Sequence, residues 1–443
     1  MLRLIVFTFG FVALLASAAA GGAGAAVPVD SAHYEVHARV SPTGTILSDV
    51  TITVPAAELG DDNEISFLLG RRFDVLLAEA EGGEVTMRPT DEPIEGLRRI
   101  TFRFDEPPSG PARLRLQYEG PLGAGGDGVE PFTADRLELS VDHMWFPVRD
   151  DIAMRFTAET WITGLAADLV VVAQGDIRRR GHEVHIRRDS LDVDLPLIAA
   201  RGLVAHSAPG VEFYAADISP KLVGIFHRHS IAAARFMADW FGEPRDPIRI
   251  VVVSRPQTLG YARAGYTVIS DGGEAAATAA EEEFPESNPA RYVAHEIGHA
   301  WWSPADPLTE DYWLSESVAE YAALRYVESV FGPQEVVRMI EGKQARAAGS
   351  GPLLAGRRAT GVELYQLGPL LLIDLERAIG RSSMDETLRR LGRRPPSTTA
   401  QFLAVLADVA GAPAAASFES ALRSPWPDTG ANPPPAARRG ASH

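Results

Sequence analysis

The hydrophobic period of the chain changes once, near residue 205, and this change limits the possible folds more than any other feature. From Val27 to Arg201 apolar and polar residues alternate in short runs separated by Gly, Pro and Asp. In Ala112–Tyr118, for example, Leu114, Leu116 and Tyr118 alternate with Arg113, Arg115 and Gln117, the period of a strand buried on one face. His33–Val40, Thr45–Val54, Ile65–Leu69, Arg99–Phe104, Met154–Ile162 and Leu169–Ala173 follow the same rule. Residues 27–205 are therefore expected to form an all-β domain, a sandwich. After Gly210 the segments lengthen and take a helical period: Leu222–Phe241, Pro289–Trp302, Asp311–Phe331, Val362–Ile379 and Thr399–Val409, with Pro247–Val253 as one strand-like run. This predicts a second, mostly helical α/β domain over residues 206–423. Residues 424–443 carry Pro, Gly, Arg and Ala without apolar period and read as a disordered tail.

The N-terminus reads as an export signal over residues 1–26: Arg3 as the basic region, an apolar run from Leu4 to Leu15, then small residues from Ala16 onward. The alternative is an uncleaved anchor, although this run falls short of the ~20 residues that a spanning helix needs. The expectation is a protein exported to the periplasm or the extracellular space, with no stable membrane insertion after cleavage. Of 443 residues none is cysteine, so disulfides, thiol nucleophiles and thiolate metal sites are excluded. The formal charge of −17 repels phosphate backbones and argues against nucleic acid as a partner. Arginine supplies nearly all the basic charge, since Lys221 and Lys343 are the only lysines.

His295-Glu296-Ile297-Gly298-His299 is an H-E-x-x-H pentad. With Asn288 as the expected N-cap and Pro289 at the first position, it falls within one helix. Four residues make just over one turn, so both imidazoles project from one face and can bind one zinc ion per chain. A catalytic zinc takes three protein ligands, and the third must come from another element. Trp313-Leu314-Ser315-Glu316-Ser317-Val318-Ala319-Glu320-Tyr321 supplies it beyond a connection containing Pro304 and Pro307. Glu316 is the expected ligand. Glu320, one turn later, is expected to accept a hydrogen bond from a metal-binding histidine; the alternative is a solvent-facing partner of nearby arginines.

These strings resemble the aminopeptidase N-type zinc metallopeptidases, which are gluzincins. Trp313–Tyr321 is similar to their W-L-N-E-G-F-A-E-Y string with Ser315 in place of Asn, and the interval Ala300 to Ser315 is about two residues shorter than usual. Tyr365-Gln366-Leu367-Gly368 resembles their Y-x-K-G helix start with Leu367 in place of Lys, and Trp145-Phe146-Pro147 resembles a junction string in their N-terminal β-domain. The resemblance spans Ser31 to Leu391 and implies a thermolysin-like catalytic domain that hydrolyses peptides. Zinc in such a site supplies Lewis acidity and a water of lowered pKa. Glu296 would take that water's proton and pass it to the leaving amine, and Tyr365 would donate to the oxyanion. The other reading of Tyr365 is a half-buried core residue.

The chain departs from the family at the G-x-M-E-N string, whose glutamate holds the substrate's α-amine. The corresponding segment is Gly260-Tyr261-Ala262-Arg263-Ala264-Gly265-Tyr266, and the expectation places Ala262 at the glutamate. Ala262, Arg263 and Gly265 are thus expected to contact substrate without an acidic anchor. Arg263 would repel a cationic terminus or bind a carboxylate, with Glu281–Glu283 as a substitute anchor or a solvated loop. End preference, aminopeptidase or endopeptidase, stays open. The chain also ends before the large helical domain that roofs the site in longer relatives, which suggests an open cleft. The alternative function is a zinc-containing peptide-binding protein without turnover, and an epoxide-opening activity, known in family relatives, is a further possibility.

Gly123-Ala124-Gly125-Gly126-Asp127-Gly128 matches G-x-G-x-x-G but leads into Pro131 and strand-like sequence, so it is expected to be a loop. Arg178–Arg180 and Arg187-Arg188 flank Gly181 like the arms of a hairpin with a solvated face, and Trp301 and Trp302 read as core.

Overall fold

The computed structural model describes residues 31–427 apart from residues 91–95, 124–129, 153, 207, 217, 256–259, 272–284 and 303–304. The export segment, most of the expected loop at 123–128, the acidic run at 281–283 and residues 428–443 of the expected tail lie outside the described residues. At the start of that tail Trp426 packs against the helical core, and its N–H donates to the Ser350 carbonyl at 3.0 Å.

The alternating segments form the expected N-terminal sandwich. A seven-stranded sheet runs in the order Asp176–Arg180, Glu183–Asp192, Phe156–Thr163, Ala32–Val40, Thr45–Val54, Ala112–Pro121 and Asp74–Ala80. Its one parallel pair sets Tyr34 opposite Ala158. Alternation sends Tyr34, Val50, Ile52, Leu114 and Leu116 to one side, where they meet Phe67, Ile100 and Phe102 of the four-stranded sheet Gly83–Pro89, Leu97–Phe104, Glu64–Gly70 and Val148–Arg149. Trp145 and Phe146 lie in this core. The Trp145 carbonyl accepts from the Tyr118 hydroxyl at 2.8 Å, and the Pro147 carbonyl from the Tyr34 hydroxyl at 2.9 Å. The Gly181 hairpin is present, but its arginines are not all solvated. Arg188 is 3% exposed and donates to the carbonyl of Phe156 at 2.7 Å and the amide oxygen of Gln174 at 2.8 Å.

A three-stranded sheet, Val170–Ala173, Leu197–Ala200 and Arg136–Leu139, joins the two halves. Successive side chains of a strand point to opposite faces, so Leu197 and Ala199 enter the sandwich core while Ile198 and Ala200 meet Val251, Val253 and Val268 beyond it. Those valines belong to a five-stranded sheet in the order Val204–Ala205, Val211–Ala215, Ile248–Val253, Tyr266–Ser270 and Tyr261–Arg263, the last strand antiparallel at its edge. Only Ile248–Val253 was apparent in the sequence, because short apolar runs are ambiguous in period.

The helices then pack into one core. Trp313–Phe331, here the glutamate helix, is buried without a break from Trp313 to Leu324, so Glu316 and Glu320 must find partners inside the protein. The histidine helix, Ser287–Gly298, lies against it. The helix begins at Ser287 with Glu286 before it, so Asn288 is inside the first turn and is not the expected cap; it ends at Gly298, four residues earlier than the apolar pattern suggested. Gly298 permits the close approach, since a β-carbon there would stand 3.1 Å from Ala319 Cβ. Trp301 and Trp302 are core, as expected. Three further helices, Pro333–Ala347 (the lysine helix), Arg381–Arg393 and Ala412–Leu422, were absent from the sequence-based expectation.

Candidate metal centre

Helical geometry brings the two pentad histidines onto one face, with ring centroids 4.9 Å apart and planes perpendicular. Each ring sets its Nδ1 against an oxygen. That of His295 lies 3.0 Å from Glu320 Oε2, and that of His299 lies 3.1 Å from the Trp302 carbonyl. Both Nε2 atoms are left to converge on one carboxylate oxygen, Glu316 Oε2, at 3.4 Å from His295 and 3.7 Å from His299. The three groups offer ligand atoms all within 4.8 Å of one another.

The electrostatics fit a cation. Burial opposes charge on His295, but Glu316, Glu320 and Glu296 outweigh it and push its pKa up to about 10. Burial would likewise raise Glu316, yet the two histidines and Tyr312 hold it well below the usual carboxylate range. The protein thus spends a positive charge at the point where both Nε2 atoms and Oε2 meet, and a divalent ion can take the place of that proton. The donor set of two neutral imidazole nitrogens and one carboxylate is one that zinc accepts.

Glu320 is 0% exposed, which excludes the solvent-facing reading. Arg291 Nη1 donates to both of its oxygens at 2.6 Å, and Lys343 Nζ lies 2.5 Å from Oε1. Burial alone would raise its pKa, but Arg291, Lys343 and His295 hold it well below the ordinary range. Glu296 is buried beside the cluster and lines a cleft of about 520 Å³. Burial pushes its pKa up against the pull of His295 and His299.

Tyr365 lies in a π-helical turn, Glu363–Leu367, with its ring 5.7 Å from that of His295. Pro369 has no N–H to give back to this turn. The carbonyls of Leu364 and Tyr365 accept instead from Ser317 Oγ and Lys343 Nζ, both at 2.7 Å. Gly368 lets the turn settle on the glutamate helix, since a β-carbon there would stand 1.9 Å from Ser317 Oγ. Burial, Glu316 and Tyr312 push the Tyr365 phenol far up, so it keeps its proton as a donor.

The residues expected to touch substrate fare differently. Counted from Gly260, the fourth position of the string falls on Arg263, not Ala262 as expected. Arg263 is not available for a ligand: its Nε donates to Asp194 Oδ2 at 2.7 Å and its guanidinium packs over the Tyr261 ring at 4.9 Å. Gly265 turns the hairpin at φ 67°, and a β-carbon there would stand 2.6 Å from Asp246 Cβ. Ala262 remains at the sheet edge, pairing with Thr267. The hydroxyl of Tyr292, on the histidine helix, accepts from the Gly260 N–H at 2.7 Å and ties that edge to the site.

Sequence reasoning missed Arg291, Tyr292, Tyr312 and Lys343. Arg291 stands one turn before His295 on the same helix, a spacing that could have revealed it. Lys343 carried a compositional signal as one of two lysines.

No family model matches the chain, and no curated protein matches it. Among solved structures it is similar to an M1 zinc metallopeptidase from Deinococcus radiodurans, with 23% identity and a TM-score of 0.63 over 89% of this chain and 94% of that one. A mutant M1 zinc metallopeptidase from the same organism, bound to a Tyr-Ser-Ala substrate, gives 22% and 0.64 over 90% and 96%. Native yeast LTA4 hydrolase gives 15% and 0.69 over 89% of this chain and 67% of that one. The fold is therefore that of the two-domain M1 metallopeptidases, a β-rich N-terminal region followed by a helical C-terminal part.

Proposed function

We propose that the protein is an exported zinc-dependent metallopeptidase, aminopeptidase-like in fold but without an acidic anchor for the substrate's amine. The observation that carries this reading is the convergence of His295 Nε2, His299 Nε2 and Glu316 Oε2 beside the free carboxylate of Glu296. These three residues would hold one zinc ion, which when bound supplies Lewis acidity toward a scissile carbonyl and an acidified water. Glu296 accepts the proton of the attacking water and returns it to the departing amine. The Tyr365 hydroxyl donates to the oxygen that gains negative charge. Glu320 orients His295, and Lys343 links that glutamate to the backbone of the Tyr365 turn. Export is supported by the N-terminal sequence alone. Among the described residues no helix is long and apolar enough to cross a membrane.

Cleavage of matched free and N-acetylated peptides, mapped by mass spectrometry with Glu296→Gln as the blank, tests the reading. Zinc-dependent cleavage that Glu296→Gln lowers by ~10³-fold or more is expected. Removal of single residues from free peptides alone would identify an aminopeptidase, and equal internal cleavage of both sets an endopeptidase. No difference between the protein and its blank would refute turnover and favour a peptide-binding protein.

A further inference from the structure

The cleft beside Glu296 extends past the metal centre along the lysine helix. Its lining holds four cationic side chains, Arg291, Arg338, Lys343 and Arg346, against two carboxylates, Glu296 and Glu320. This is a local excess of positive charge in a chain whose formal charge is −17, and the protein neutralises it only in part. Glu320 is already shared by Arg291, through Nη1 alone, and by Lys343. Arg338 is held by Glu335 of its own helix, Nε to Oε2 at 3.1 Å. Arg346 is exposed, and its Nε donates to the neutral amide oxygen of Gln366 at 3.0 Å. Among the described residues no carboxylate pairs with it. Partial burial of its guanidinium, with the neighbouring charge of Arg291 adding and Glu320 opposing, holds Arg346 below its ordinary pKa. Burial does the same to Lys343 despite Glu320, with Arg291 and Arg346 adding to the effect. Cations crowded in this way are relieved by an anion placed among them.

We propose that this end of the cleft is a carboxylate-binding subsite, in which Arg346 and the guanidinium nitrogens of Arg291 that Glu320 leaves open hold an anionic group of a peptide substrate. The inference rests on the peptidase reading of the same site and deepens it. A guanidinium fork matches a carboxylate in plane and spacing, and a cavity of about 520 Å³ has room for substrate between Glu296 and Arg346. The carboxylate can come from the C-terminus of a short peptide or from an acidic side chain beside the scissile bond.

Two matched peptide pairs separate these sources. One pair differs only in a free or an amidated C-terminus. The other is amidated throughout and differs only in Glu or Gln, placed at each position in turn. The ratio of kcat/KM within each pair is read for zinc-loaded wild type and Arg346→Gln. The ratio of Kd is read by calorimetry on Glu296→Gln with and without Arg346→Gln. Wild type is expected to favour the carboxylate member of a pair by about tenfold, and Arg346→Gln to bring that ratio close to one. A ratio taken within one preparation is unaffected by loss of folded protein. Collapse in the first pair assigns the terminal carboxylate, and collapse in the second assigns an acidic side chain. The subsite is overturned by wild type that shows no preference in either pair, by a preference that survives Arg346→Gln, or by failure of every peptide to bind. If peptides bind with the expected ratio but none is cleaved, the peptidase reading fails and the subsite stands.

Discussion

Two of the buried groups of charges in this protein are built on opposite principles. At the metal centre Arg291, His295, Glu320 and Lys343 come from three neighbouring helices and line a cleft of about 520 Å³, with His299 and Glu316 closing the cluster behind His295. At the junction of sandwich and catalytic sheet, Arg188, Asp192, Asp194, Arg263 and Gln174 close on one another. Gln174 Nε2 meets Asp192 Oδ2 at 2.7 Å, the Ala264 N–H meets the same oxygen at 3.0 Å, and Asp194 Oδ1 accepts the Val141 N–H at 2.6 Å. The free space beside Gln174 and Arg188 is about 10 Å³, too little to hold a ligand. A buried charge group that closes on its own members and leaves no room beside them serves to fix two domains together. One that keeps unmatched valences and an opening is a site.

The largest effect should come from unbalancing the closed group. Arg263→Met leaves Asp194 buried without its guanidinium, at a cost of about 3–5 kcal/mol. Urea unfolding should show this loss, while the zinc content of the molecules that stay folded is unchanged. A variant of wild-type stability that had lost peptide affinity would return Arg263 to the substrate site and break the comparison.

A smaller effect is expected at the open group. Glu320→Gln keeps shape but removes the charge that fixes His295 and offsets Arg291 and Lys343. Zinc affinity should fall about 10–100-fold, the usual cost of losing a partner that orients a metal-binding histidine. Competition with a chromogenic chelator measures it. Affinity within twofold of wild type would mean that the packing of the histidine helix, through Gly298 and Ala319, positions His295 without the carboxylate.

The same contrast explains what could be read from the sequence. The histidines, Glu296, Glu316 and Glu320 sit within 26 positions, on two helices whose periodicity turns spacing into direction. The sandwich was legible because one strand face is buried and the other wet. The junction group was not legible, because Asp142, Asp194 and Arg263 meet only through the pairing of distant strands, and an arginine at the sheet edge looks available until its partner is seen. The lysine helix was missed for a different reason. Its buried face is Met339, Lys343 and Ala347, one apolar residue, one cation and one small residue at fourfold spacing, so no apolar stripe announces it.

The smallest expected effect lies between the two groups, at the turn that carries Tyr365. Glu363 accepts from Arg357 at two nitrogens, each 2.9 Å away, and from the Thr360 N–H at 2.7 Å. Arg357 is the main cause of a carboxyl pKa below the ordinary value, helped by Thr360 and opposed by burial. A folded-state pKa lower than the unfolded one stabilises the protein above the unfolded value, and this contribution is lost as pH falls through the folded one. Arg357 is half exposed and screened by solvent, so the contribution is modest. Glu363→Gln should therefore lower Tm by a few degrees at pH 7, on the order of 1 kcal/mol, and the gap to wild type should narrow once the pH drops below ~4. Melting curves of the two proteins across pH 3–7 measure the gap. A gap that stays constant over that range would show that Glu363 supports the Tyr365 turn by shape and neutral hydrogen bonds, making this part of the cleft wall akin to the closed group and not to the open one.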